Sequence, residues 1–203
     1  MAVRLNAVLP EYAGRVRLRT RPFPLEVGGE PAPRDILEQE WWLAALQEPA
    51  AEFAPFRGDD WPTTTLPAFH AARAAARQGE ATGHEYDLRV RRAFFAQGRN
   101  IGRPDVLLEL AREAGLDLDR FTRDMDSGEA GAEVLAERQA GRDRYGVRGT
   151  PTLMLADGTK LPAPLAAPRL RNRRVVAIGR LPCYGDSCRD AVRALFNRAV
   201  TAG

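Results

Sequence analysis

The sequence predicts an α/β fold interrupted by an all-helical insertion near residues 63–140. Three observations point there. The segments read as strands lie before residue 20, where Val16 and Leu18 alternate with arginines, and after residue 150. Residues 63–145 carry five successive stretches with helical spacing, punctuated by Gly79, Gly98 and Gly115. A Gly149-Thr150-Pro151 turn then leads straight into the apolar run Thr152–Leu155, followed by Asp157-Gly158.

A chain of 203 residues can bury a sizeable core, and 44% hydrophobic with 28% charged residues describes a soluble globular protein. No apolar run is long enough to span a bilayer, so no membrane partner is expected. The start, Met1–Asn6, lacks the regions of a signal peptide, and the chain reads as cytoplasmic. The net charge of +3 does not imply a nucleic-acid partner. Lys160 is the only lysine, and acidic residues lie among the arginines throughout. The densest basic run, Arg169–Arg174, reads as a solvated loop. His70 and His84 have no ligand spacing to Cys183 and Cys188, so no metal is expected. Neither histidine accompanies a nucleophile or carboxylate motif, so both read as surface or packing residues. No nucleotide or dinucleotide fingerprint is present, and no cofactor is expected.

In order along the chain, Val3, Leu5, Val8, Leu9 and Tyr12 suit a helix that stops at Gly14. Val16 and Leu18 alternate with Arg15, Arg17 and Arg19 as in a half-buried strand, closed by Pro22-Phe23-Pro24. Residues 34–47 present a broad apolar helical face, with Trp41 and Trp42 as core and cover. Residues 48–62 are irregular. The helical block follows. Thr63, Thr64 or Thr65 caps a helix over 66–77, and a second runs to Gly98. A third begins at Pro104, suited to a first helical turn. A fourth covers Leu118–Met125, and Ser127 caps a fifth reaching Tyr145. The strand after Pro151 is expected to return as Arg174–Ile178 across a long proline-containing loop. A last helix carries Ala191, Val192, Leu195, Phe196 and Ala199, with Asp186 or Ser187 as its cap.

The segment YAGRVRLRTRPFPLE closely resembles the first helix and second strand of DsbA-type thioredoxin-like proteins, and among them the FrnE-like group. LPAFHAARAAARQGE, RRAFFAQGRNIGRPDVLLELAREAGLD and YGVRGTPTLML match, in order, that family's helical insertion and cis-proline return. The resemblance spans about residues 10–157. It implies a discontinuous thioredoxin-like domain over residues 1–62 and 141–203, with residues 63–140 inserted. It also implies a cis Thr150–Pro151 bond, and a substrate-binding role for Arg148, Gly149, Thr150 and Pro151. The family places a strand and a Cys-x-x-Cys turn before the first helix. Here neither that motif nor the serine of related glutathione-linked isomerases is present. The expectation is therefore an upstream strand with the missing motif, or another segment or chain filling that place.

The activity implied by resemblance is thiol–disulfide oxidoreduction on a thiol- or disulfide-containing protein or a small thiol. The alternatives are a redox-silent binding protein and a glutathione-dependent enzyme like 2-hydroxychromene-2-carboxylate isomerase. Cys183 and Cys188 resemble a second cysteine pair near the C-terminus of FrnE-like proteins and are the candidate redox or regulatory residues. A regular helix would separate them by about 7.5 Å along its axis. A bend at Tyr184-Gly185 would be needed to reach the roughly 4.4–6.8 Å Cα separation of a disulfide. Two reduced thiols are the other outcome.

Overall fold

A computed structural model describes residues 1–27 and 33–202, and the chain divides into two units. The first comprises Met1–Arg19, Arg34–Phe53 and Gly149–Gly203; the second comprises Thr20–Pro33 and Ala54–Arg148.

In the first unit, helix α1 (Ala2–Val8) runs into a 3-10 turn, Leu9–Tyr12, and Gly14 at φ 73° ends it. Only glycine adopts that left-handed geometry without a steric cost. Helix α2 (Arg34–Gln47) takes the bounds its periodicity predicts, burying Trp41 and leaving Trp42 exposed. β1 (Leu153–Met154) pairs antiparallel with β2 (Lys160–Leu161), and the Asp157-Gly158 turn sits between them. β3 (Pro168–Arg171) pairs antiparallel with β4 (Arg174–Ile178). Helix α8 (Asp186–Thr201) closes the unit against α1. Val8, Tyr12, Val192 and Phe196 form the buried cluster between them, with Leu5, Leu9 and Val16 packed against it.

Several expectations are corrected here. Val16 and Leu18 are half-buried and their arginine neighbours exposed, but residues 16–19 join no ladder among the described residues. Alternation reports two unlike faces, whereas a strand also needs a neighbour to bond. Arg174–Ile178 is a strand with the expected bounds, yet it does not return from β1. The nearer Lys160–Leu161 takes that place, because a short turn costs less closure entropy. The basic run is a hairpin instead of a loop. Asn172 and Arg173 have φ of 49° and 61°, as in a two-residue I′ turn, whose twist matches its strands. Its arginines are nonetheless exposed. The hairpin docks on α2: Arg173 pairs with Asp35, and Gln39 accepts from Val175 N–H and donates to the Arg173 carbonyl.

The second unit is helical: α3 (Leu66–Arg77), α4 (Glu80–Phe95), α5 (Pro104–Glu113), α6 (Leu118–Asp126) and α7 (Glu129–Asp143). Alanines 68, 71, 74 and 75 line the buried face of α3. Small side chains let neighbouring backbones approach, so Gly83 of α4 lies against Ala76, and Gly131 of α7 against the His70 ring. Burial keeps the His70 pKa below its ordinary value. Tyr86 is wholly buried and donates its hydroxyl to the Leu107 carbonyl at 2.9 Å. The caps differ in detail from expectation. Thr65 spends its hydroxyl on Glu26, while Thr64 Oγ1 accepts from Leu66 N–H. Gly128, in a left-handed conformation, stands at the α7 cap position expected for Ser127, whose hydroxyl accepts from Glu129 N–H.

Arg77 carries a charge network in this unit, reaching Asp124, Glu129 and Glu133; Arg73 also binds Glu133. The hydrogen bond from Arg77 holds the Glu133 carboxyl below its usual value, desolvation partly offsets it, and Arg73 adds to the lowering. A depressed folded-state pKa stabilises above the unfolded value, and the gain is lost as pH falls through the folded value. The thermal midpoint is therefore expected to drop as pH falls through and below the ordinary glutamate range, and less in Glu133→Gln, which has no carboxylate to protonate. Equal acid slopes in the two proteins, read by circular dichroism, would rule this out.

Candidate functional site

The candidate residues of the first unit fall in two places. Gly149, Thr150 and Pro151 precede β1, and the Thr150–Pro151 peptide is cis. Thr150 and Pro151 are exposed, and the Gly149 carbonyl accepts from Thr152 Oγ1 at 2.7 Å. Arg148, at the end of the second unit, is exposed as well.

Cys183 and Cys188 lie at the start of α8 and are joined in a disulfide, with 4.9 Å between their α-carbons. Gly185 at φ 56° makes the bend that permits it, and its carbonyl accepts from Cys188 N–H at 3.0 Å. The expected caps are corrected here. Gly185 is the cap residue, and neither Asp186 nor Ser187 caps α8 with its side chain. Ser187 turns back instead: its Oγ accepts from Tyr184 N–H and donates to the Tyr184 carbonyl, tightening the loop between the cysteines. Cys188 is buried at 1% exposure, whereas Cys183 is half-buried. Tyr184 and Leu181 beside Cys183 are exposed apolar side chains. Among the described residues, no hydrogen bond links Gly149–Pro151 to the cysteine pair.

One residue that sequence reasoning did not single out reaches the disulfide. Arg4 of α1 is buried at 2% exposure. Its Nε donates to Glu48 Oε2 at 2.9 Å, its Nη2 to the Gln47 carbonyl and its Nη1 to the Pro164 carbonyl. The same Nη1 lies 3.5 Å from Cys183 Sγ. The available signal was its place one helical turn before buried Val8, which sets Arg4 on the inward face of α1. Gln47 fixes the surroundings. Its side chain donates to the Ala166 carbonyl at 3.0 Å and accepts from Ala166 N–H at 2.7 Å, so the 164–166 loop is tied to the end of α2.

The model of the DSBA-like thioredoxin domain matches residues 1–170, so the cysteine pair lies beyond the matched segment. The uncharacterized protein YwbO of Bacillus subtilis (strain 168) is 30% identical over 150 residues, covering 66% of this chain and 70% of its own. The ClpXP adapter protein SpxH of Shouchella clausii (strain KSM-K16) is 35% identical over 91 residues, 42% of this chain and 29% of that protein. Two solved structures share the fold. A candidate protein disulfide isomerase from Nitrosomonas europaea has a TM-score of 0.66 at 16% identity, covering 97% of this chain and 89% of that one. The cytosolic disulfide reductase DsbM from Pseudomonas aeruginosa has a TM-score of 0.65 at 21% identity, covering 98% and 92%. The fold is thus thioredoxin-like with a helical insertion.

Proposed function

The chain belongs to the DSBA-like thioredoxin domain family, and on that premise we propose that it is a thiol–disulfide oxidoreductase whose exchanging pair is Cys183–Cys188. The observation that carries this reading is the disulfide itself, which pairs a half-buried cysteine with a buried one. That asymmetry suits exchange chemistry, in which an outside thiolate reaches one sulfur and the other leaves.

A substrate thiolate attacks Cys183 Sγ, the Cys183–Cys188 bond breaks, and Cys188 leaves as a thiolate. The second substrate thiolate attacks the substrate sulfur of the mixed disulfide and releases Cys183. Two electrons pass from the substrate dithiol to the pair. In the reverse direction a substrate disulfide is reduced, and a dithiol restores the reduced pair.

The substrate class is an extended cysteine-containing polypeptide. Tyr184 and Leu181 supply exposed apolar contact beside Cys183. Arg148, Gly149, Thr150 and Pro151 are proposed to bind substrate backbone, since Thr150 is exposed and makes no hydrogen bond of its own among the described residues. A purely binding role is the alternative reading, and the test separates the two. Insulin reduction by a dithiol is expected to be accelerated by the protein. Cys183→Ser and Cys188→Ser are each expected to lose at least about 90% of the acceleration, as when a nucleophile is removed. Full activity in either variant removes the pair from the chemistry. No acceleration by the unaltered protein favours the binding role.

A further inference from the structure

We infer that Arg4 stabilises the Cys183 thiolate when the disulfide opens, and so makes Cys183 the attacking sulfur and Cys188 the resolving one; this rests on the redox role proposed for the pair. The guanidinium is held rigidly. Glu48 takes Nε, the Gln47 carbonyl takes Nη2 and the Pro164 carbonyl takes Nη1, all at a residue 2% exposed. The remaining reach of Nη1 is toward Cys183 Sγ at 3.5 Å.

A disulfide sulfur is a weak acceptor, so this contact contributes little while the bond is closed. Once the pair is reduced, the same sulfur becomes an anion beside a buried cation. A charge-assisted hydrogen bond then forms without any rearrangement of Arg4. A neighbouring arginine lowers a thiol's pKa, and the effect is largest where water is scarce.

The other charged groups around the pair do not cancel this. Glu48 offsets part of the guanidinium charge, yet it binds at Nε while Nη1 faces the sulfur. Asp186, at the start of α8, is 96% exposed in its side chain and lies 3.9 Å from Arg189. Among the described residues no cation contacts Cys188, and its burial at 1% exposure opposes ionisation. The α8 N-terminus favours a thiolate at Cys188, and the burial of that residue opposes it.

In the reducing direction, Cys183 Sγ⁻ attacks a substrate disulfide, forms the mixed disulfide and expels one substrate thiolate. Cys188 then attacks Cys183 Sγ, re-forms the intramolecular bond and expels the second.

The test reads the thiol directly and needs no turnover, so it fails or succeeds independently of the insulin assay. In Cys188→Ser protein, Cys183 is the only thiol. Its pH profile of alkylation by iodoacetamide is expected to give a pKa at least about one unit below the roughly 8.5 of free cysteine. Adding Arg4→Met is expected to raise it by about one unit, a tenfold slower reaction at neutral pH. Arg4→Lys is expected to recover part of the shift. A Cys183 pKa at or above 8.5 with Arg4 intact overturns the assignment, as does an unchanged pKa in folded Arg4→Met protein. Where Arg4→Met does not fold, Glu48→Gln decides: releasing the guanidinium from its carboxylate is expected to lower the Cys183 pKa further. No change, or a rise, overturns the inference.

Discussion

Truncating Phe196 to alanine is expected to lower the stability of the protein by about 3–5 kcal/mol. Phe196 is 5% exposed and sits edge-on against Tyr12, with ring centroids 5.2 Å apart. Val8 and Val192, both wholly buried, complete the cluster. Removing the ring deletes contacts to both α1 and α8. The walls cannot close on the gap, because Tyr12 is pinned through its hydroxyl, which donates to Asn197 Oδ1 at 2.8 Å. The loss is large beside a net stability of about 5–15 kcal/mol for a typical domain. Phe196→Leu keeps most of the volume and is expected to cost less than about half as much. Urea unfolding with an unchanged slope measures both. A loss under about 1 kcal/mol for the alanine variant would mean the cluster does not hold α1 to α8.

The second large effect is expected at Gly83, where even the smallest addition meets backbone. A Cβ there would stand 2.5 Å from Ala76 Cα and 2.7 Å from Ala76 Cβ. Neither atom is the free end of a flexible side chain, so α3 and α4 must separate. In an open helix, glycine to alanine would gain about 1 kcal/mol from propensity. Here overpacking reverses the sign: Gly83→Ala is expected to destabilise by about 1–3 kcal/mol, and Gly83→Leu by more. Gly149→Ala is the contrast, since a Cβ there meets nothing within 4 Å and its φ is not in the left-handed range. If Gly83→Ala melts at or above the unaltered protein, the close approach of the two helices is not what holds this unit together.

These two sites differ in how far the sequence announces them. Phe196 falls on the apolar spacing of the last helix, and its burial follows from that spacing. Gly83 gives no local sign; it reads as an ordinary weak point within a helix. Its purpose is visible only when Ala76 is seen across from it.

The bounds of α2, α3 and α5 were legible because helical order is local. Apolar spacing, prolines in the first turn and glycine stops all act within a few residues. The Gly-Thr-Pro turn and the strand after it were legible for the same reason. Strand pairing was not, because a ladder joins segments by register, and nothing within Arg174–Ile178 says that Pro168–Arg171 will bond it. The cysteines show the division most clearly. Their spacing left a disulfide and two free thiols equally open. The backbone at Gly185 decided between them, bringing the α-carbons to 4.9 Å. Arg4 stands at the far end of that scale: 179 residues separate it from the sulfur it faces. Its charge was written in the sequence from the start. Only the burial of α1 beside the 164–166 loop and α8 sets that charge against Cys183, because side chains so distant meet through packing and not through any local pattern.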